Sequence, residues 1–308
     1  MKAQRAVWGD TLTELAHTDE RIVIVDGDLA TSTTAVTFAN AHPDRFVQGG
    51  IAEQNMVGVA FGMSTLGYRP WVATFGVFLT NRALDQVRML VSQTGAPVRL
   101  AAAYTGLLNG SSGKTHQDLE DLAIMRAMPN MTVIAPADEI EAEAAIRWAA
   151  DHDGPVYLRL ARDPVRPVFD EGYEFVLGRP LIVREGTDAV LVSTGVQTSR
   201  VRDAADLLAG QGIDARVIHV PSIKPLDEQR LVDLIGDAAE VVTIEEHTRI
   251  GGLGGLVSEV LASRGGIRVT RLGLDDGWSE SAPNDFLLDK YGLSAERVAA
   301  AVAGLQAR

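Results

Sequence analysis

Three short segments of this 308-residue chain bring together side chains that could do chemistry. Gly49-Gly50-Ile51-Ala52-Glu53-Gln54-Asn55 sets a carboxylate one or two residues into a helix that a glycine pair introduces. Thr74-Phe75-Gly76-Val77-Phe78 sets two aromatic rings three apart where a strand gives way to a loop. Gly113-Lys114-Thr115-His116-Gln117 ends a glycine-rich loop on an imidazole. A carbanion held on the thiazolium of thiamine diphosphate needs an acid against the aminopyrimidine, a flat apolar slot for that ring and a proton-handling group over the substrate carbonyl. Glu53, the Phe75 and Phe78 pair and His116 supply those three types, and only half of such a cofactor site.

Each residue also has a plainer reading. A first-turn carboxylate such as Glu53 can offset the helix dipole. Catalytic use requires burial, which the apolar Met56, Val57, Val59, Ala60 and Phe61 behind it would provide. Phe75 and Phe78 could pack in the core or stack on a planar heterocycle. His116 could cap a helix start. Its place at the end of a flexible loop between strand and helix, where parallel sheets collect ligands, ranks it above His17, His42, His152, His219 and His247. Gly58 and Gly62, four apart, predict another backbone packed closely on the Glu53 helix.

Two tempting motifs fail on spacing. Gly113-Lys114-Thr115 lacks the earlier glycine of a phosphate loop, which falls on Leu108. Gly251-Gly252-Leu253-Gly254-Gly255 puts Val257 where a dinucleotide loop needs its last glycine, so it reads as a packing turn. Glu245-Glu246-His247 has metal-ligand types without a second cluster, which favours a structural or interface role over a metal site.

The elements that must position these residues follow from composition and periodicity. With 46% hydrophobic residues, 30 Gly and 12 Pro, the chain reads as an α/β protein long enough for two domains. Strand-length apolar runs at 21–25, 71–75, 98–103, 132–135 and 156–160 alternate with helical periods at 52–66, 79–93, 117–128 and 139–150, which predicts a doubly wound parallel sheet. Pro164 and Pro167 then break the pattern. A second doubly wound unit follows, with strands at 189–193, 215–220, 241–245 and 267–272 and helices at 200–209, 228–235, 253–262 and after Ser294. The expected division is a first domain at 1–165, a linker at 166–185 and a second domain at 186–308.

Charge and cysteine content exclude several classes. A net charge of −13 with no cluster of Lys and Arg argues against nucleic acid. The lack of Cys removes disulfides, thiolate zinc sites and thiol nucleophiles, and suits a reducing cytoplasm. Met1-Lys2-Ala3-Gln4-Arg5 leads into no signal-peptide core, and no run of about 18 apolar residues predicts a membrane span.

Over essentially its whole length the chain resembles the C-terminal half of a transketolase, issued as a separate subunit. The resemblance implies a pyrimidine-binding domain followed by a transketolase C-terminal domain. By it, Glu53 of Gly-Ile-Ala-Glu-Gln hydrogen-bonds the aminopyrimidine and promotes its imino tautomer. Phe75 and Phe78 fall on the stacking aromatics, with Asn81 at a third aromatic position, and His116 of Thr-His-Gln contacts substrate oxygens. Asp28 and Ser32 lie along the cofactor and substrate channel, and Lys114 and Gln117 are expected beside the substrate. The Gly-Asp-Gly and downstream Asn that hold magnesium and the diphosphate are missing from the sequence, which implies a partner subunit that supplies them. Half a site per chain requires an interface, and an α2β2 assembly is expected. The implied reaction moves a two-carbon ketol unit from a ketose to an aldehyde acceptor.

Departures from the family pattern bear on substrate. Ser112 stands where Asp commonly reads the acceptor hydroxyl, Ala135 where Arg commonly holds the acceptor phosphate, and Tyr104 where a channel histidine is usual. Loss of a charged phosphate partner removes about 1.5–3 kcal/mol, for which Lys114, Arg82 or the partner subunit could compensate. Rival readings with the same domain pair are a deoxyxylulose-phosphate synthase type and a 2-oxoacid dehydrogenase β-subunit. A non-catalytic scaffold for a diphosphate-binding partner is a reading of another class.

Overall fold

The computed structural model describes residues 1–306. In chain order α1 (Gln4–Leu15) leads to β1 (Ile22–Asp26), α2 (Ala30–Thr33), α3 (Val36–Ala41) and β2 (Phe46–Gln48). Next come α4 (Glu53–Thr65), β3 (Arg69–Phe75), two π-helical turns at Phe78–Arg82 and Val87–Ser92 flanking α5 (Leu84–Gln86), and β4 (Arg99–Ala103). The first unit closes with α6 (Asp121–Ala127), β5 (Thr132–Ile134), α7 (Glu139–Asp151) and β6 (Val156–Leu160). The second contains β7 (Leu181–Arg184), β8 (Ala189–Ser193), α8 (Gln197–Ala209), β9 (Ala215–His219), β10 (Ser222–Lys224), α9 (Glu228–Ile235), β11 (Glu240–Thr248), α10 (Leu253–Leu261), β12 (Arg268–Leu274), α11 (Asn284–Lys290) and α12 (Ala295–Gln306).

The first sheet has seven strands in the order β10-β5-β6-β4-β3-β1-β2, all parallel except the antiparallel β10 edge. The second has five in the order β12-β11-β8-β9-β7, with β7 antiparallel. Strands β1, β4, β5, β6 and β8 are buried along their whole length, as expected of parallel strands covered on both faces. Trp8 and Leu12 of α1 and Ala142, Ile146 and Ala149 of α7 cover one face of the first sheet. Met56 and Val57 of α4 cover the other, in a cluster that runs on through Val133 into Val192, Ile218 and Leu231 of the second unit. Asp138 and Asp227 cap α7 and α9 by accepting from Glu141 N and Arg230 N, each at 2.9 Å.

Several expectations need correction. The helix expected from Gln117 begins at Asp121, so His116 lies in a turn ahead of it. The helix expected at 79–93 is interrupted by the two π turns; Thr80 Oγ1, which donates to Gly76 O, sits in the first. The 166–185 segment is not a free linker. Its end is β7, and earlier in it Val168 and Phe169 N–H groups donate to Asp138 while Tyr173 O–H donates to Glu141. A Cβ built on Gly58 or Gly62 would meet nothing within 4 Å, so no backbone among the described residues packs there. The elements α1, α2, α3, α11, β2, β7 and β10 were not legible as periodic runs.

Candidate active site

The direction of strand addition reverses between β1 and β3, and in doubly wound sheets ligands settle in the crevice at the carboxyl ends of strands flanking such a reversal. Gly27 and Asp28 follow β1, Gly49 and Gly50 follow β2, Phe75 ends β3 and Tyr104 follows β4. Two of these residues are strained, since Asp28 and Tyr104 both hold φ of +62° without being glycine. Such outliers cost of order 1–3 kcal/mol and gather at functional sites.

Glu53 is the first residue of α4 and only 1% exposed. Arg82 Nη1, from the π turn after β3, donates to both its oxygens at 2.8 and 2.9 Å. The Arg82 guanidinium also lies 4.2 Å from the centroid of the Phe78 ring. Phe75 and Phe78 stack at 5.7 Å with 20° between planes, Tyr104 stacks on Phe75 at 4.2 Å, and His116 meets both phenyl rings edge-on at 5.9 and 5.5 Å. Glu53, Phe75, Phe78 and His116 therefore form one constellation. His116 Nδ1 is 2.8 Å from Thr115 Oγ1, a contact that orients the ring. Gln48 Oε1 accepts from Asp28 N and Gly50 N at 2.9 and 3.0 Å, tying the β1 and β2 ends in front of α4.

The floor of the slot is polar. A Cβ on Gly76, between the two phenyl rings, would lie 2.6 Å from Thr105 and 2.9 Å from Asp118, so only glycine fits. Asp118 Oδ2 accepts from Thr80 Oγ1 at 2.8 Å, and its Oδ1 has no partner among the described residues. Burial, with the nearby Asp121 charge second, holds its pKa well above the usual carboxylate value. Asp121 itself accepts from Arg159 Nε and Tyr157 O–H at 2.8 and 2.9 Å.

Sequence reasoning missed two of the cations around the slot. Arg5 and Arg162 each place a guanidinium 5.4 Å from the Tyr104 ring, and Arg5 Nη1 donates to Ser32 O at 2.6 Å. Arg162 Nε is buried with no hydrogen-bond partner among the described residues. No local signal marks these two, because one lies on α1 and the other just after β6. The loop expected to be flexible is anchored: Gly110 N donates to Asn284, Ala282 N donates to Gly110 O, and Ser112 Oγ donates to Asn109 at 2.7 Å. Lys114 is exposed, whereas Gln117 is 2% exposed with its amide 3.4 Å from Glu280 O. Asn81 is polar and exposed beside Glu120. Ala135 is sealed between the two units, its N donating to Pro221 O and its O accepting from Gly195 N.

The Glu245-Glu246-His247 run is used internally. Glu245 accepts from Leu253 N and Gly254 N at 2.7 and 2.9 Å, so the first turn of α10, within the glycine-rich run, binds a carboxylate of its own chain. Glu246 accepts from Leu107 N and Leu108 N at 2.5 and 3.1 Å and pairs with Arg200, while Arg159 Nη2 donates to its carbonyl at 2.8 Å. Gly106, φ +76°, lies so close that a Cβ there would meet Glu246 Oε1 at 2.3 Å. Among the described residues no group of three or more His, Asp or Glu is placed to hold a metal ion, and no helix is long and apolar enough to cross a membrane.

Residues 1–167 match the family description "Transketolase, pyrimidine binding domain" and residues 178–298 match "Transketolase, C-terminal domain". The chain belongs to the transketolase family. It is similar to a putative transketolase C-terminal section of Methanocaldococcus jannaschii, 38% identical over 302 residues, covering 97% of this chain and 94% of that protein. It is also similar to a 6-deoxy-6-sulfo-D-fructose transketolase subunit of a Clostridium species, 37% identical over 294 residues, covering 96% and 91%. A solved structure described as "Split gene transketolase, inactive beta4 tetramer" superposes with a TM-score of 0.91 at 42% identity, covering 99% of this chain and 98% of that one. Transketolase relatives of this kind are therefore about the size of this chain.

Proposed function

We propose that this chain is the pyrimidine-binding subunit of a split transketolase that moves a two-carbon ketol unit between sugars. The observation that carries the reading is the single constellation of buried Glu53, stacked Phe75 and Phe78, and edge-on His116 at the strand reversal. These residues fit the ring half of thiamine diphosphate: a buried carboxylate at one edge and a partly open phenyl face beside it. When bound, that cofactor supplies the acidic carbon that takes up the two-carbon unit. Glu53 would hold a proton at the ring nitrogen, Phe78 backed by Phe75 would offer its face to the ring, and His116 would exchange a proton with the substrate oxygen. Asp28 would line the cofactor side, with Ser32, Tyr104, Ser112, Lys114 and Gln117 toward the substrate. Arg5 and Arg162 favour a substrate that carries an anionic group, which offsets the missing Arg at Ala135. A diphosphate-binding subunit supplies Mg2+ and the remaining half of the site, in a cytoplasmic α2β2 assembly.

The test combines this chain with a diphosphate-binding subunit and measures transfer from phosphorylated, unphosphorylated and 2-oxoacid donors, with assembly mass followed by light scattering. Glu53→Gln should lower kcat roughly 100- to 10,000-fold in an intact assembly. Full activity of that variant removes Glu53 from catalysis, and tight cofactor binding without transfer from any ketose removes the ketol reading.

A further inference from the structure

We infer that Arg82 is a displaceable occupant of the ring site, filling the place of the aminopyrimidine until that ring enters. The inference rests on the thiamine reading above. Guanidinium is a planar cation with N–H donors at its edge and a π-face. Here its Nη1 edge donates to both oxygens of Glu53 while its carbon sits 4.2 Å over the Phe78 ring. One side chain thus takes up both features the slot offers a heterocycle, the carboxylate at the edge and the phenyl face. The two cannot be used by Arg82 and by a ring at once.

Physical reasons support occupancy before binding and release on binding. A carboxylate buried to 1% exposure is costly without a counter-group, and Arg82 provides one. Arg82 is itself 45% exposed and stands on a π turn at the mouth, so swinging outward returns it to water and leaves the Phe78 face to the incoming ring. The apparent affinity for the ring is then lowered by the fraction of molecules in which Arg82 has withdrawn. Arg82 would set how tightly the cofactor is held.

The experiment titrates 4-amino-5-hydroxymethyl-2-methylpyrimidine, the ring half of thiamine without its diphosphate, into the full chain by calorimetry. Arg82→Gln should bind about tenfold more tightly than the unaltered chain, equivalent to about 1.4 kcal/mol. Millimolar guanidinium chloride should compete with the ring in Arg82→Gln, a chemical rescue that a purely structural role of Arg82 does not produce. Arg82→Lys, which keeps the charge and loses the planar face, should gain affinity in the same direction and serves where Arg82→Gln does not fold. Equal or weaker binding by the folded variants overturns the inference and leaves the cofactor reading in place. Failure of every chain to bind the ring, and of the assembled enzyme to bind thiamine diphosphate, overturns both.

Discussion

His116 and Glu53 illustrate how little a residue type says before its neighbours are known. His116 is half-buried, touches the edges of two phenyl rings and has Thr115 as its polar partner, so its removal opens no core cavity. His116→Ala should therefore lower kcat/KM by roughly 100-fold or more while the melting temperature stays within a few degrees. Unchanged steady-state kinetics would take it out of the site. Glu53 was legible as a candidate because glycines precede it and apolar residues follow. Its pairing with Arg82, 29 residues on, was not, since no local pattern records which loop folds back over a helix start. Tyr104 was read as a substitution in the channel, and the structure adds that it is strained, buried and flanked by two guanidinium groups.

At the scale of elements, the turn that carries Phe78 and Arg82 depends on the polar floor beneath it. Thr80 bridges Gly76 O and Asp118, and Asp118 is fully buried beside Asp121, with Glu120 and Arg159 as the other charges acting on it. Its folded pKa lies above the unfolded value, so between the two the native state binds more protons than the unfolded one. Stability is then full below the ordinary Asp value and falls as pH rises toward the folded value. Asp118→Asn keeps an acceptor for Thr80 and cannot ionise. It should flatten that decline, read as denaturant midpoints from the ordinary Asp value upward; a slope identical to the unaltered chain would mean Asp118 does not carry it. The π turns themselves could not be seen in a sequence whose apolar spacing fits an ordinary helix over 79–93 just as well.

At the scale of the molecule the two units are stitched together. Strand β10 comes from the second unit and pairs with β5 of the first, the Met56 to Leu231 cluster has no break between them, and Glu246 closes the β4 loop. A fragment of residues 1–165 would expose the β5 edge and the apolar residues now covered from the second unit. It should be insoluble or lack a cooperative melt, whereas a fragment with native near-UV dichroism and a sharp transition would show that the interface is dispensable. The second strand reversal, between β8 and β11, is taken up by this interface through Gly195 and Glu246, which leaves the first as the open crevice.

The sequence by itself determined the α/β alternation, the order of Glu53, Phe75, Phe78 and His116, and the family resemblance that the domain matches bear out. These are local properties: burial periodicity within one element, and residue types at the junctions where parallel strands end. Tertiary structure alone decided that Arg82 faces Glu53, that Arg5 and Arg162 converge on Tyr104, and that β10 crosses to the first sheet. Those contacts join segments far apart in the chain, and they are selected by how whole layers pack, a free-energy balance that no short window of sequence contains.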